Sequence, residues 1–106
     1  MNQDRINQLK KFIEEDPNDP FPKYALALEH LKDNKTISRQ LFEELLEKHP
    51  DYLGTYYHAA ALFAELDEFD IAEDIYKRGI DQAKNQKDAH SLKELQSAYL
   101  NFQFEN

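Results

Sequence analysis

The sequence predicts an all-α protein, and three observations carry that reading. The 106 residues include only 2 Gly and 4 Pro, and they are rich in Ala, Leu, Glu, Lys and Gln, which favour helix, with none of the Val that favours strand. Apolar residues recur at i, i+3, i+4, i+7 in six segments, separated by short breaks. Those segments also correspond to one another at a nearly constant spacing. A chain of this length is the size of one domain.

The first segment runs from about Asp4 to Glu15, sets Ile6, Leu9, Phe12 and Ile13 on one face, and ends near Asp16 because Pro17 disfavours helical backbone before it. Asp19 then reads as an N-cap, with Pro20 at the first helical position and Pro22 still inside the first turn, where a missing N–H costs nothing. The second helix presents Tyr24, Ala27, Leu28 and Leu31. The third opens near Thr36, carries Ser38, Leu41, Phe42, Leu45 and Leu46, and is closed by Pro50. Asp51 is expected to cap the fourth, whose stripe is Tyr56, Ala59, Ala60 and Phe63. After a turn around residues 66–69 the fifth carries Ala72, Ile75, Tyr76, Gly79, Ile80 and Ala83. The polar stretch KNQKD breaks it, and Asp88 caps a sixth helix bearing Leu92, Leu95, Tyr99 and Phe102.

Helices two and four align at an offset of 32, pairing Asp19 with Asp51, Tyr24 with Tyr56, Ala27 with Ala59, Leu28 with Ala60 and Leu31 with Phe63. Helices three and five align at 34, pairing Ser38 with Ala72, Leu41 with Ile75, Phe42 with Tyr76, Leu45 with Gly79 and Leu46 with Ile80. Helix one matches helix three at 33, which brings Pro17 onto Pro50. The prolines therefore close one repeat and open the next.

A two-helix unit of about 34 residues, with Tyr56, Ala59, Ala60 and Phe63 on its first helix and Ala72, Tyr76 and Gly79 on its second, resembles the tetratricopeptide repeat. The stretches EDPNDPFPKYALALEHL and HPDYLGTYYHAAALF are similar to short, stand-alone bacterial members with no assigned reaction. The resemblance implies a right-handed helix-turn-helix solenoid of about six antiparallel helices. It would form one domain over residues 1–106: a half-unit helix at 4–16, repeats at 19–50 and 51–84, and a C-terminal capping helix at 88–104. Departures from the pattern are Ala or Leu where the first helices prefer Leu-Gly, Leu45 where a small residue is preferred, and Lys84 where Pro would close the unit.

A net charge of −8 repels nucleic-acid phosphates and anionic lipid, so neither is expected as a partner. The absence of Cys excludes disulfides and thiolate metal sites. The opening MNQDRINQLKKF lacks a signal-peptide core and no apolar run approaches a membrane span, so a soluble, cytoplasmic protein is expected. No phosphate loop, HExxH or nucleophile elbow occurs, so the reading is not an enzyme, with no cofactor and no metal. His30 and His49 fall near helix C-termini, where imidazole suits the macrodipole. His58 and His90 fall on first helices of adjacent units, without spacing that selects a coordination geometry. The acidic run Glu65, Asp67, Glu68, Asp70, Glu73, Asp74 lacks the ligand alternation of a calcium loop and reads as a solvated turn.

The resemblance further implies a peptide or partner helix held in a concave groove lined by first helices. Carried over by position, the lining is Ala25, Glu29 and Lys32 from helix two, Gly54, Tyr57, His58, Ala61 and Glu65 from helix four, and Lys93, Ser97 and Leu100 from helix six. The carboxylate clamp of the family's chaperone-tail binders is absent, since its positions hold Ala25, Glu29, His58, His90 and Glu94. Tyr57 is the expected aromatic anchor, for a neutral or basic segment over an acidic one. A second reading is self-association into a weak homodimer, because Leu100 and Phe104 cluster about 140° from the buried stripe of helix six.

Overall fold

Asn2, Asp19, Asn34 and Asp88 each accept a hydrogen bond from a backbone N–H of the turn that follows, those of Arg5, Phe21, Ile37 and Ser91 respectively. Four of the helix starts are thus written in local sequence. The computed structural model describes residues 2–106. It contains α1 (Gln3–Glu15), α2 (Pro20–His30), α3 (Lys35–Lys48), α4 (Gly54–Glu65), α5 (Phe69–Asn85) and α6 (Ala89–Glu105), and no strand among the described residues. The helices group into two compact units, the first reaching to Tyr52 and the second running from Leu53 to Asn106.

In the first unit α2 packs against both α1 and α3. Ile6 and Leu9 of α1 form a cluster with Ala25 and Leu26 of α2, and Ile13 and Leu41 pack around it. Against α3, the Ser38 hydroxyl donates to the Ala27 carbonyl, both residues being fully buried. Lys23, itself buried, donates to Glu44 at 3.0 Å, and that bond holds the Glu44 carboxyl below its usual range although burial works the other way. Tyr24 meets Tyr52 edge to face at 5.5 Å.

Three expectations need correction here. Ala25 is buried, because α2 has two helical neighbours and a single apolar stripe serves only one of them. Phe12 belongs to the exposed surface of α1, not to its packed face. Helix α2 stops at His30, whose carbonyl accepts from both Asp33 and Asn34, so Lys32 lies in the turn and not on the helix.

The second unit is built on α5, which packs against α4 and α6, while α4 also touches α6. Asp51 does not cap α4: the chain turns through residues 50–53, Leu53 is the N-cap, and helix begins at Gly54. Both later turns reuse one device. The Glu68 N–H bonds to the Phe63 carbonyl and the Asp67 N–H to that of Ala64, with Asp67 in the left-handed region at φ 62°. The Asp88 N–H bonds to Ala83 and the Lys87 N–H to Lys84, with Lys87 at φ 58°. These are Schellman closures made without glycine. Tyr56, Ala59, Ala60 and Phe63 of α4 and Ala72, Ile75, Tyr76, Gly79 and Ala83 of α5 are buried as their spacing predicts. From α6 come Leu95 and Phe102, flanked by half-buried Leu92 and Tyr99.

Candidate functional site

Helix α4 buries Tyr56, Ala60 and Phe63 against α5, and the same 3.6-residue repeat carries Tyr57, Ala61, Ala64 and Glu65 onto a neighbouring face. On α6 the buried Leu95 and Phe102 leave Ala98, Asn101 and Glu105 on the side turned to α4. Between these two rows lies an open groove of about 470 Å³. It is lined by small side chains, Ala61, Ala64 and Ala98, and by rings, Tyr57, Phe69, Tyr76 and Phe102. Glu65, Asp67 and Glu105 stand along its edge, and none of its lining residues is basic.

Phe69, Tyr76 and Phe102 belong, with Tyr99, to a cluster that ties α5 to α6. Phe102 lies 5.5 Å from Tyr76, 6.3 Å from Tyr99 and 6.4 Å from Phe69, and Tyr76 lies 5.8 Å from Tyr99. The Tyr99 hydroxyl donates to Glu73 at 3.2 Å. Burial pushes the Tyr76 phenol above its ordinary pKa, and Tyr57 and Glu105 beside it push the same way. Tyr57 itself is 37% exposed and meets His58 edge to face at 5.2 Å. Burial lowers the His58 pKa, while Glu94 across on α6 pulls it back up. His90 is exposed and 4.0 Å from the same Glu94.

Of the residues selected from sequence, the structure brings Tyr57, Ala61 and Glu65 together in this groove. His58 lies beside Tyr57 without lining it. Lys93, Ser97 and Leu100 are exposed on α6 and do not line the groove, which uses Ala98 and Asn101, each about 100° round the helix from Ser97 and Leu100. Glu29 and Lys32 belong to the first unit, where Glu29 is paired with Arg5 of α1 at 2.7 Å and Lys32 sits exposed in the turn. Leu100 and Phe104 are 53% and 83% exposed. Phe69, Tyr76, Ala98, Asn101, Phe102 and Glu105 were not singled out for the groove. The i, i+3, i+7 spacing of Ala98, Asn101 and Glu105 beside the buried Leu95 and Phe102 is the sequence signal that could have found the last wall.

Among the described residues no group of three or more His, Asp or Glu side chains is placed to hold a metal ion, and no helix is long and apolar enough to cross a membrane.

Residues 38–95, more than half of the chain, match the sequence profile of the tetratricopeptide repeat. A crystal structure of a tetratricopeptide repeat domain protein from Salinibacter ruber is 48% identical, with a TM-score of 0.78 over 83% of this chain and 99% of that one. A solution NMR structure of a tetratricopeptide repeat domain protein from the same organism is 51% identical, with a TM-score of 0.77 over 82% of this chain and 89% of that one. No protein of curated function matches. With such identity across four-fifths of its length the likeness is one of sequence as well as of helix arrangement, and the chain belongs to the tetratricopeptide repeat family.

Proposed function

We propose that this chain is a non-enzymatic interaction module that takes up a peptide or partner helix in the groove between α4 and α6, with Tyr57 as its aromatic anchor. Tetratricopeptide repeat domains are in general scaffolds that bind protein partners. The observation that carries the reading is the groove itself: small residues, Ala61, Ala64 and Ala98, leave it open, and a partly exposed Tyr57 is among its lining residues. An apolar side chain entering there meets several aromatic residues of the lining, Tyr57, Phe69, Tyr76 and Phe102, the setting in which aromatic hot spots form. The partner is a protein and not a nucleic acid or membrane, since a net charge of −8 opposes both.

Affinity capture on the purified protein, followed by titration of the recovered partner against Tyr57→Ala, tests this. Binding should weaken by about 1 kcal/mol or more, with the helical circular dichroism unchanged. A partner that binds Tyr57→Ala as it binds the unaltered chain uses another surface. The exposed pair Leu100 and Phe104 on the open face of α6 supports a second reading, a weak homodimer through that helix.

A further inference from the structure

We infer that the groove takes a basic segment and takes it in one direction: an aliphatic or aromatic side chain over Ala61 and Ala98 beside Tyr57, and a Lys or Arg about one helical turn further toward the C-terminal ends of α4 and α6. This rests on the groove being the binding surface.

The direction comes from how the two helices run. Near the start of α4, His58 feels Glu94 near the start of α6. Near the end of α4, Glu65 lines the same groove as Glu105 near the end of α6. The helices are therefore parallel, and the groove has two unlike ends. Beyond the first end, outside the lining itself, His58 of α4 and Glu94 of α6 are near enough to interact. At the second, Glu65, Asp67 and Glu105 all line the groove, and the α4 macrodipole presents its negative pole at the same place. A contiguous hollow around Phe69 and Phe102 carries Asp70 and Glu73 on its rim. The lining thus gathers three carboxylates at its second end and no Lys or Arg.

These carboxylates do not converge as metal ligands do. They form a spread acidic edge, suited to an ammonium or guanidinium on a flexible stem that lies along the ring walls and leaves its charge in solvent. The small residues set the other requirement, because an apolar side chain can fill the space beside Ala61 and Ala98 without the desolvation cost a charge would carry there. Apolar anchor and cation are separated by the distance from Ala61 to Glu65, one turn of α4.

The test is selection of a random twelve-residue peptide library on the purified protein, with the winners measured by fluorescence anisotropy against Tyr57→Ala and against the double variant Asp67→Asn, Glu105→Gln. Asn is chosen at 67 because it tolerates left-handed backbone. We expect winners with an excess of Lys and Arg and an apolar residue about two positions from a basic one if they bind extended, or three or four if they bind as helix. They should weaken about tenfold on Tyr57→Ala and roughly three- to tenfold on the double variant, and raised salt should reduce their affinity for the unaltered protein more than for the double variant. Winners that need Tyr57 but are neutral or acidic, or that ignore the double variant, overturn the inference and leave the groove reading standing. Winners indifferent to Tyr57→Ala overturn both, as does a library that yields no binder.

Discussion

Gly79 of α5 rests directly on the ring stem of Tyr56 of α4: a Cβ at position 79 would lie 2.7 Å from the Tyr56 Cβ and 2.8 Å from its Cγ, with the Leu95 Cδ1 at 3.2 Å. The equivalent pair in the first unit is Leu45 and Tyr24. There the larger residue occupies the α3 position, and Tyr24 is only half-buried, turned edge-on to Tyr52. The missing side chain at 79 is what lets Tyr56 bury fully and α6 close over the same spot.

Gly79→Ala should therefore destabilise the protein, although Ala in place of Gly inside a helix ordinarily gains about 1 kcal/mol. Overpacking at a contact this close costs about 1 to 3 kcal/mol and more where little can yield. Urea unfolding should show a lower midpoint, and the loss should shrink in a Tyr56→Leu background if the clash is with the ring. A midpoint that rises would mean Tyr56 moves aside freely.

Lys87→Gly should raise stability by about 1 kcal/mol, because Lys87 holds a positive φ of 58° that glycine adopts without strain. Asp67→Gly should gain less, since Asp tolerates the left-handed region better than Lys. Thermal unfolding of the two variants side by side checks both the sign and the order.

His58 makes the second unit sensitive to mild acid. Its folded-state pKa lies below the ordinary value of about 6.5 because it is partly buried, so the unfolded chain takes up the proton first. Its contribution is whole above about pH 6.5 and is lost as the pH falls toward the folded-state pKa. Glu94 opposes the burial effect, so Glu94→Gln should lower the His58 pKa further and enlarge the loss. Following the His58 imidazole resonances through a pH titration of the unaltered chain and of Glu94→Gln measures this. A His58 curve that stays put would separate the two residues.

Sedimentation equilibrium tests the α6 face. If Leu100 and Phe104 pair with a second copy, the unaltered chain should show a dimer at high micromolar concentration that Leu100→Glu and Phe104→Glu abolish. A monomer throughout that range excludes self-association, and a dimer indifferent to both charges places the contact elsewhere.

What the sequence determined by itself were the features that depend on neighbours along the chain. Asp19 with Pro20 and Asp88 mark helix starts through hydrogen bonds and φ values local to a few residues. The paired offsets exposed the repeat because each unit presents similar small and large residues to its partner helix, as Ala27 and Ala59, Ser38 and Ala72, and Phe42 and Tyr76 do. Asp51 misled because its match with Asp19 is one of identity, while the start of α4 is set by how the chain turns through residues 50–53. Tertiary structure decided everything that depends on rotation about a helix axis or on the number of neighbours. Ala25 is buried because α1 covers a second side of α2, which no single stripe announces. On α6, one residue is 100° of rotation, the difference between Ser97 in solvent and Ala98 in the groove. Periodicity states that a helix has a buried side; the depth at which α6 seats on α5 and α4 chooses which of its remaining sides becomes a wall.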